Sequence, residues 1–218
     1  MNNVVVFDFD GVIIDSLEVQ RKAFFESFRL VSEGPLPSFE EFLGHSGDSI
    51  PNIFTKMGLS LDMTEHYRRI ARENIHLIQM IDGMEELLRY IKDTGWLCGL
   101  CTGKDRSRTL QTLEEHGLIG YFDAVVCSDD VTHPKPHPES LLCTIDQLHT
   151  TVEHSVFVGD GKNDIICARE AKMRSIAVAW GHNPVEILRQ EAPSYVAYNV
   201  EELRHGLQAL FLHTEVSL

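Results

Sequence analysis

Residues 4–12 read VVVFDFDGV, an apolar run that ends in two aspartates and a glycine. An apolar run of this length is typical of a β-strand that is buried on both faces. An Asp-Gly turn after the strand accounts for Asp10 and Gly11 but leaves Asp8 unexplained. A second carboxylate inside an apolar run is costly to bury without a partner. Metal coordination or catalysis therefore accounts for Asp8 better than a turn does.

Short apolar segments of the same kind recur along the chain and alternate with helical patterns. From about residue 82 onward this alternation predicts a parallel sheet covered by helices, which is an α/β fold. The predicted strands are Val4–Phe9, Leu97–Cys101, Ala124–Cys127, Ser155–Val158 and Ser175–Ala179. The predicted helices are Met84–Asp93, Arg106–His116, Pro138–Leu148, Asp164–Lys172 and Pro184–Gln190.

The segment from residue 16 to residue 81 interrupts this alternation. It separates the first two strands by roughly eighty residues, far more than one crossover connection needs. We therefore predict an inserted α-helical cap over residues 16–81 and a core domain made of residues 1–15 and 82–218. The helices predicted within the cap are Leu17–Leu30, Ser38–Leu43, Asp48–Met57 and Thr64–Gln79.

The composition excludes several classes of protein. The chain has 218 residues, of which 43% are hydrophobic and 24% charged, and this is enough to bury a core without disulfides. No apolar run reaches the length of about 18 residues that a membrane span requires, and a secretory signal is not expected. Acidic residues outnumber basic ones 33 to 19, a formal charge of −14, which argues against nucleic acid or an anionic membrane as partner. The five cysteines are expected to be reduced, which favours the cytoplasm.

A second acidic segment, VGDGKND at residues 158–164, also follows an apolar strand. The carboxyl ends of parallel strands line one crevice, so Asp160 and Asp164 are expected to converge there with Asp8 and Asp10. Four carboxylates cannot share a crevice without compensation. A hard divalent cation that prefers oxygen ligands, Mg²⁺ above all, would relieve their repulsion.

Two further loops follow predicted strands and carry polar groups. Thr102 and Gly103 offer a hydroxyl group and loop amides, which can bind phosphate oxygens. Lys135 lies in the sequence HPKPHP, whose prolines stiffen the loop, although most lysines are solvated surface residues. His133 and His137 could be metal ligands, but Lys135 between them repels a cation. We therefore favour roles in solvent or at the edge of the substrate for these histidines.

Four elements resemble, in order, the motifs of the haloacid dehalogenase superfamily. They are Asp8-x-Asp10-Gly11-Val12 with Asp15-Ser16, then Thr102, then Lys135-Pro136-x-Pro138, then Gly159-Asp160-x-x-x-Asp164. Trp180-Gly181 is also similar to the phosphoglycolate-phosphatase-like branch, which lies close to the β-phosphoglucomutase-like enzymes. The match spans nearly the whole chain, and four motifs in this order are highly specific. The resemblance implies a Rossmann-like parallel-sheet core with a helical cap inserted after the first motif.

The resemblance also implies a role for each motif in a phosphatase. Asp8 would be the nucleophile that forms an aspartyl phosphate, and Asp10 the general acid and then the general base. Mg²⁺ would be held by Asp8, by the carbonyl of Asp10 and by Asp160, with Asp164 ligating directly or through water. Thr102, Gly103 and Lys135 would bind the remaining phosphate oxygens. Lys135 would also contact Asp8 or Asp160.

Several alternatives stay open at this point. Asp10 disfavours a dehalogenase or a phosphonatase, because enzymes of those two branches depart from the motif at this second aspartate. A sugar phosphomutase similar to β-phosphoglucomutase shares Asp8 and Asp10, but the mutases carry a cap arginine shortly after the position of Gly44, and this chain does not. A non-catalytic phosphate-binding regulator would be expected to lose one of these motif residues. A signalling receiver is disfavoured by the helical insertion.

Substrate choice is expected to lie in the cap, and the loop from Gly44 to Ser49 is the best candidate. His45, Ser46 and Asp48 could contact the substrate there, or Asp48 could simply cap the next helix. The arginines Arg68, Arg69 and Arg72 could form a solvated helix face. The expected partner is a small phosphorylated metabolite, and analogy with capped members of the family predicts a monomer or weak dimer.

Overall fold

The structure is a computed structural model that describes residues 2–215. At its centre lies a six-stranded parallel sheet in the order β5-β4-β1-β6-β7-β8. These strands are β1 (Val4–Phe7), β4 (Leu97–Cys101), β5 (Ala124–Val126), β6 (Ser155–Gly159), β7 (Arg174–Val178) and β8 (Tyr195–Ala197). The predicted α/β fold with a Rossmann-like sheet is confirmed.

Six helices follow the strands of the core. They are α5 (Met84–Asp93), α6 (Arg106–Glu115), α7 (Glu139–Gln147), α8 (Lys162–Glu170), α9 (Val185–Gln190) and α10 (Val200–Glu215). Alternate residues of the buried strands enter different apolar clusters, with Val5 and Phe7 in one and Val4 and Val6 in the other. This alternation is the pattern that a strand covered on both faces requires.

Four helices and a short ribbon lie between β1 and α5. The helices are α1 (Leu17–Val31), α2 (Phe39–Gly44), α3 (Ile50–Lys56) and α4 (Met63–Glu73), and the ribbon pairs β2 (Ile14–Asp15) with β3 (Gln79–Met80) in antiparallel register. The ribbon joins the two passages of chain that lead into and out of the helical insertion. The division of the domains at residues 15 and 82 itself stays a prediction.

Aromatic rings fill the interior of the cap. Phe24 lies with its ring centroid 4.7 Å from that of Phe42, and Phe54 meets Tyr67 edge-on at 5.9 Å.

The helix predicted over residues 64–79 ends at Glu73 instead, because the side-chain amide of Asn74 donates to the carbonyl oxygen of Ile70 and a 3₁₀ turn follows. Among residues 2–215, none of the helices combines the length and the hydropathy that a membrane span needs.

Candidate active site

The turn after β1 places its two aspartates by packing its backbone against the second acidic segment. Gly11 has a φ of +78°, and a Cβ atom there would lie 2.2 Å from Oδ2 of Asp160. Gly181, in the loop after β7, approaches the same residue, since its Cβ would lie 2.1 Å from the Cβ of Asp160. Only glycine allows these close approaches. The Asp10-Gly11 pair therefore serves the close packing of the two acidic loops as well as the turn.

Three carboxylates meet at the carboxyl ends of β1 and β6. Asp8, Asp160 and Asp164 are each no more than 3% exposed, and one carboxylate oxygen from each lies within 4.8 Å of the others. Asp164 accepts a hydrogen bond from the backbone N–H of Gly161 at 2.9 Å, which fixes it at the start of α8. Asp160 accepts from the N–H of His182 at 2.7 Å. The structure thus brings together three of the four aspartates that the sequence selected.

Lys135 lies against this cluster and is only 1% exposed. Its ammonium nitrogen is 2.8 Å from Oδ1 of Asp8 and 2.7 Å from Oδ1 of Asp164, and it donates to the carbonyl oxygen of Cys101 at 3.1 Å. The expected contact with Asp8 is present, while the second carboxylate partner is Asp164 rather than Asp160. This lysine is therefore a buried counter-charge and not a solvated surface residue.

The pKa values of the clustered groups indicate that the cluster lacks positive charge. Burial raises the pKa of Asp8 to about 7 despite the opposing charge of Lys135, and burial raises the pKa of Asp160 to about 6 although His182 opposes it. Burial alone would lower the pKa of Lys135, but Asp164 and Asp8 outweigh it and hold that pKa well above the usual value. One ammonium group thus faces three carboxylates. The donor set fits a hard divalent cation with oxygen ligands, which would supply the missing positive charge.

Asp10 lies in a different electrostatic setting from the other three aspartates. Its Oδ1 accepts a hydrogen bond from Lys104 at 2.8 Å and another from the hydroxyl of Ser16. Burial raises the pKa of Asp10, but Lys104 first, then Ser16 and Arg108, outweigh burial and lower it. Sequence reasoning missed Lys104, although it directly follows Thr102 and Gly103 in the same loop.

Thr102 and Gly103 line the cleft beside Asp8, as a phosphate-binding role requires. The Thr102 hydroxyl accepts from the N–H of Lys104 at 3.2 Å. A Cβ at Gly103 would lie 2.4 Å from the carbonyl oxygen of Gly47, so the backbone of the cap loop rests directly on this core loop. Asn163 adds a second link, because its amide donates to the carbonyl oxygens of residues 45 and 46 at 3.2 and 2.9 Å. The loop of residues 45–48 therefore contacts the core directly beside the aspartates.

The three cap-loop candidates occupy different places. Ser46 and Asp48 line the cleft, whereas the ring of His45 does not. The hydroxyl of Ser46 donates to the carbonyl oxygen of Leu43 at 2.7 Å. Asp48 pairs with Lys56 at 2.6 Å and accepts from the N–H of Ser49 at 2.7 Å. The N-cap of α3 is Ser49, whose hydroxyl accepts from the backbone N–H of Asn52, so the alternative in which Asp48 itself caps this helix is wrong. Asp48 instead accepts from the side-chain amide of Asn52 at 2.9 Å. Substrate contact by the three residues stays a prediction.

The remaining polar candidates divide between the surface and the cleft. His133 and His137 are exposed, and His133 lies 2.8 Å from a carboxylate oxygen of Glu139. Arg69 is exposed and pairs with Glu73, as a solvated helix face predicts. The neighbouring arginines differ from that expectation: Arg68 pairs with Asp105 of the core at 3.3 Å, and Arg72 lines the cleft.

The cleft itself encloses about 760 Å³ of free space, its open mouth included. Its polar end holds Asp8, Asp10, Thr102 and Lys104, while the cap supplies much of the opposite wall. Asp8 from the buried carboxylate cluster and Asp10 with its paired Lys104 therefore open onto one cleft.

Comparison with known proteins identifies the family by sequence and the fold by structure. The family model for haloacid dehalogenase-like hydrolases matches residues 5–178. Pyrophosphatase PpaX of Bacillus pumilus (strain SAFR-032) is 30% identical over 204 residues, covering 92% of this chain and 94% of that protein. A crystal structure of a predicted phosphatase from Clostridium acetobutylicum has a TM-score of 0.85 at 25% identity, covering 96% of this chain and 99% of that one. A predicted phosphoglycolate phosphatase from Haemophilus somnus 129pt, at 17% identity and a TM-score of 0.79 over 100% and 98% of the two chains, shares the fold.

These matches confirm the resemblance inferred from the four motifs. Members of this family generally use a divalent metal ion, commonly Mg²⁺, which agrees with the donor set of Asp8, Asp160 and Asp164. The match over residues 5–178 and the relative at 30% identity show that the chain belongs to the haloacid dehalogenase-like hydrolase family.

Proposed function

We propose that this protein is a metal-dependent phosphatase that hydrolyses a small-molecule phosphate monoester through an aspartyl phosphate on Asp8. The observation that carries the proposal is the position of Asp8, which opens onto the cleft while Lys135 binds one of its oxygens at 2.8 Å. Relatives named as pyrophosphatases and phosphatases support a phosphatase function.

In the first step an oxygen of Asp8 attacks phosphorus, and the bond between phosphorus and the leaving oxygen breaks. The nucleophile must be ionised, and the ammonium of Lys135 favours that state against the burial that opposes it. Thr102 and the backbone at Gly103 line the cleft where they can bind phosphoryl oxygens. The cap loop rests on Gly103, and its closure over a bound substrate would exclude water from the leaving group.

Asp10 would give its proton to the leaving oxygen and later take one from the water that cleaves the aspartyl phosphate. In the free protein Lys104 and Ser16 hold Asp10 in its ionised form, which is the state of a base. We expect the negative charge of the bound phosphate to compete for Lys104 and so to raise the pKa of Asp10. Attack by water then releases inorganic phosphate and regenerates Asp8.

Asp8, the carbonyl group of Asp10 and Asp160 would hold the metal ion. When bound, Mg²⁺ would neutralise charge on the phosphoryl oxygens and relieve the repulsion among the aspartates. Both oxygens of Asp164 are already engaged, one with Lys135 and the other with the N–H of Gly161. This arrangement favours an indirect role for Asp164, through water or through Lys135.

The identity of the leaving group distinguishes the candidate substrates. Pyrophosphate is a second candidate substrate, because the relative PpaX is named a pyrophosphatase. A sugar phosphomutase remains the alternative reaction, and it would transfer the phosphoryl group instead of releasing it. A non-catalytic regulator is disfavoured by the complete set of motif residues. We further propose that the partner is a phosphorylated metabolite, that the protein is a monomer or weak dimer, and that it is cytoplasmic.

The proposal is tested by measuring inorganic phosphate released from p-nitrophenyl phosphate and a panel of phosphorylated metabolites, with Mg²⁺ and with a chelator. We expect turnover that requires the metal and that Asp8→Asn abolishes. A matched control is Asp62→Asn, at an exposed position before α4 that is remote from the motifs. Turnover by Asp8→Asn at the wild-type rate, or full activity in chelator, would refute the mechanism.

A further inference from the structure

Beyond the aspartates, the cleft is lined by polar side chains from two helices that face each other across the boundary of cap and core. Arg72 comes from α4 of the cap, and Arg108 and Gln111 come from α6 of the core. None of the three belongs to the motifs from which the family was recognised. We call them the seam residues, and they offer donors to a bound ligand.

Arg108 is held rigidly, with only 7% of its surface exposed. Its Nε donates to Oδ2 of Asp105 at 2.6 Å, and its guanidinium carbon lies 5.4 Å from the ring centroid of Tyr67. It lies near enough to Asp10 that its charge contributes, after that of Lys104, to the lowered pKa of that carboxyl. The guanidinium is therefore a fixed positive group between the reaction centre and the cap.

Arg72 and Gln111 have no partner that would explain their position. Within residues 2–215 neither side chain forms an ion pair or a hydrogen bond, yet both line the cleft. Each is partly buried. Donors that line a cleft from opposite walls and remain unsatisfied by the protein are placed to bind an acceptor on a ligand.

Arg72 differs from its neighbours Arg68 and Arg108 because it has no anionic partner. Arg68 pairs with Glu65 and Asp105, and Arg108 pairs with Asp105. Within residues 2–215 no carboxylate pairs with Arg72. An unpaired positive group that lines a cleft favours an anionic ligand.

The rest of the cap wall is apolar. Val19, Ile50, Ile53, Ile75 and Ile78 line the cleft, and most of them are buried. Inorganic pyrophosphate has no carbon with which to cover this surface. An organic leaving group would contact these apolar side chains.

We propose that the seam residues bind a second anionic group on the leaving group, joined to the scissile phosphate by an apolar carbon skeleton. This inference rests on the proposed phosphatase function and narrows its substrate to organic phosphates with an anionic tail. A carboxylate and a second phosphate share the required chemistry, since a guanidinium binds either with two parallel hydrogen bonds. Arg72, Arg108 and Gln111 are then specificity-determining residues of the cleft.

The experiment compares matched esters that differ only in the tail. The substrates are butyl phosphate, the same ester with a terminal carboxylate, the same ester with a terminal phosphate, and inorganic pyrophosphate; p-nitrophenyl phosphate reports the basal reaction. We expect kcat/KM for an anionic-tailed ester to exceed that for butyl phosphate by about 10- to 100-fold, the range that one hydrogen bond between charged groups supports. The preferred tail identifies which of the two anions the site takes.

Variants at two arginine positions on α4 separate recognition from folding. Arg72→Gln should lower kcat/KM for the anionic-tailed ester about tenfold more than for butyl phosphate, and Arg72→Lys should restore part of the difference. Arg69→Gln is the matched control, because Arg69 is exposed and pairs with Glu73 outside the cleft. We expect it to leave every rate unchanged.

Different results would overturn the inference about the seam residues and the proposed phosphatase function. Hydrolysis of all esters without preference for an anionic tail, or a preference for inorganic pyrophosphate, would overturn the inference and leave the phosphatase function intact. An equal effect of Arg72→Gln on all esters would also overturn it. Absence of metal-dependent phosphate release from every compound, p-nitrophenyl phosphate included, would overturn the proposed function and the inference with it.

Discussion

Replacing Lys135 by methionine tests the electrostatic logic of the site without a large change in volume. The lysine is 1% exposed and its ammonium lies within 3 Å of carboxylate oxygens on Asp8 and Asp164. Removing it leaves both carboxylates buried in the metal-free protein without that counter-charge. Removing one partner of a buried ion pair costs about 3–5 kcal/mol of unfolding free energy, and we expect a loss in that range.

The loss should depend on pH in a defined direction. The pKa of Asp8 is about 7 in the folded protein against an ordinary value of 3.8, and it should rise further without Lys135. A carboxyl whose pKa is higher in the folded than in the unfolded state favours folding when protonated, and this contribution is lost as the pH rises through the folded-state pKa. The destabilisation by Lys135→Met should therefore be small near about pH 5 and complete near about pH 9.

Urea denaturation of the metal-free protein at several pH values measures this effect. Lys22→Met is the matched control, because Lys22 forms a 2.7 Å ion pair with Glu26 while 40% of its side chain is exposed. Exposed pairs of this kind contribute about 0.2–1 kcal/mol. Equal losses for the two variants, or a loss for Lys135→Met that shrinks as the pH rises, would show that the reasoning about the buried cluster is wrong.

Three further outcomes follow from the geometry of the site. Mg²⁺ affinity, measured by calorimetry, should rise between about pH 6 and pH 8. The reason is that the pKa values of Asp8 and Asp160 are about 7 and about 6, so metal binding must displace their protons. An affinity that does not change with pH would contradict this expectation. Gly181→Ala should weaken Mg²⁺ binding by about tenfold or more, since its Cβ would lie 2.1 Å from that of Asp160, whereas Gly44→Ala meets no atom within 4 Å and should bind normally. Asn163→Ala removes two hydrogen bonds to the cap loop and should lower kcat/KM about 5- to 100-fold; an unchanged value would show that these bonds do not hold the cap closed.

The parallel core could be predicted because buried strands carry a continuous apolar signal. The segment Leu97–Cys101 was predicted with the bounds that the structure has, and so was the helix Met84–Asp93. No strand was predicted at Tyr195–Ala197, because this three-residue edge strand is only partly buried and has no such run. The bend after Glu73 depends on the side chain of Asn74, which propensity over a window does not resolve.

The aspartates of the site could be located because a carboxylate at the end of an apolar strand conflicts with its surroundings. Lys104 lies in a loop and Arg108 lies on a helix, where basic residues are common, so neither conflicts with its surroundings in the sequence. Their place in the cleft results from the packing of α4 against α6 and from the ion pairs with Asp10 and Asp105. Such long-range contacts have no periodic signature in the sequence. The same reason explains why Arg68 and Arg72 resembled a solvated face.

The identity of the nucleophile is tested most directly by trapping the covalent intermediate. Turnover of p-nitrophenyl phosphate in the presence of Mg²⁺ is quenched with acid, and the peptides are sequenced by mass spectrometry. We predict the added mass of one phosphoryl group on Asp8, and its absence from Asp8→Asn. A phosphoryl group trapped on another residue, or undiminished turnover by Asp8→Asn, would contradict the assignment of Asp8 as the nucleophile.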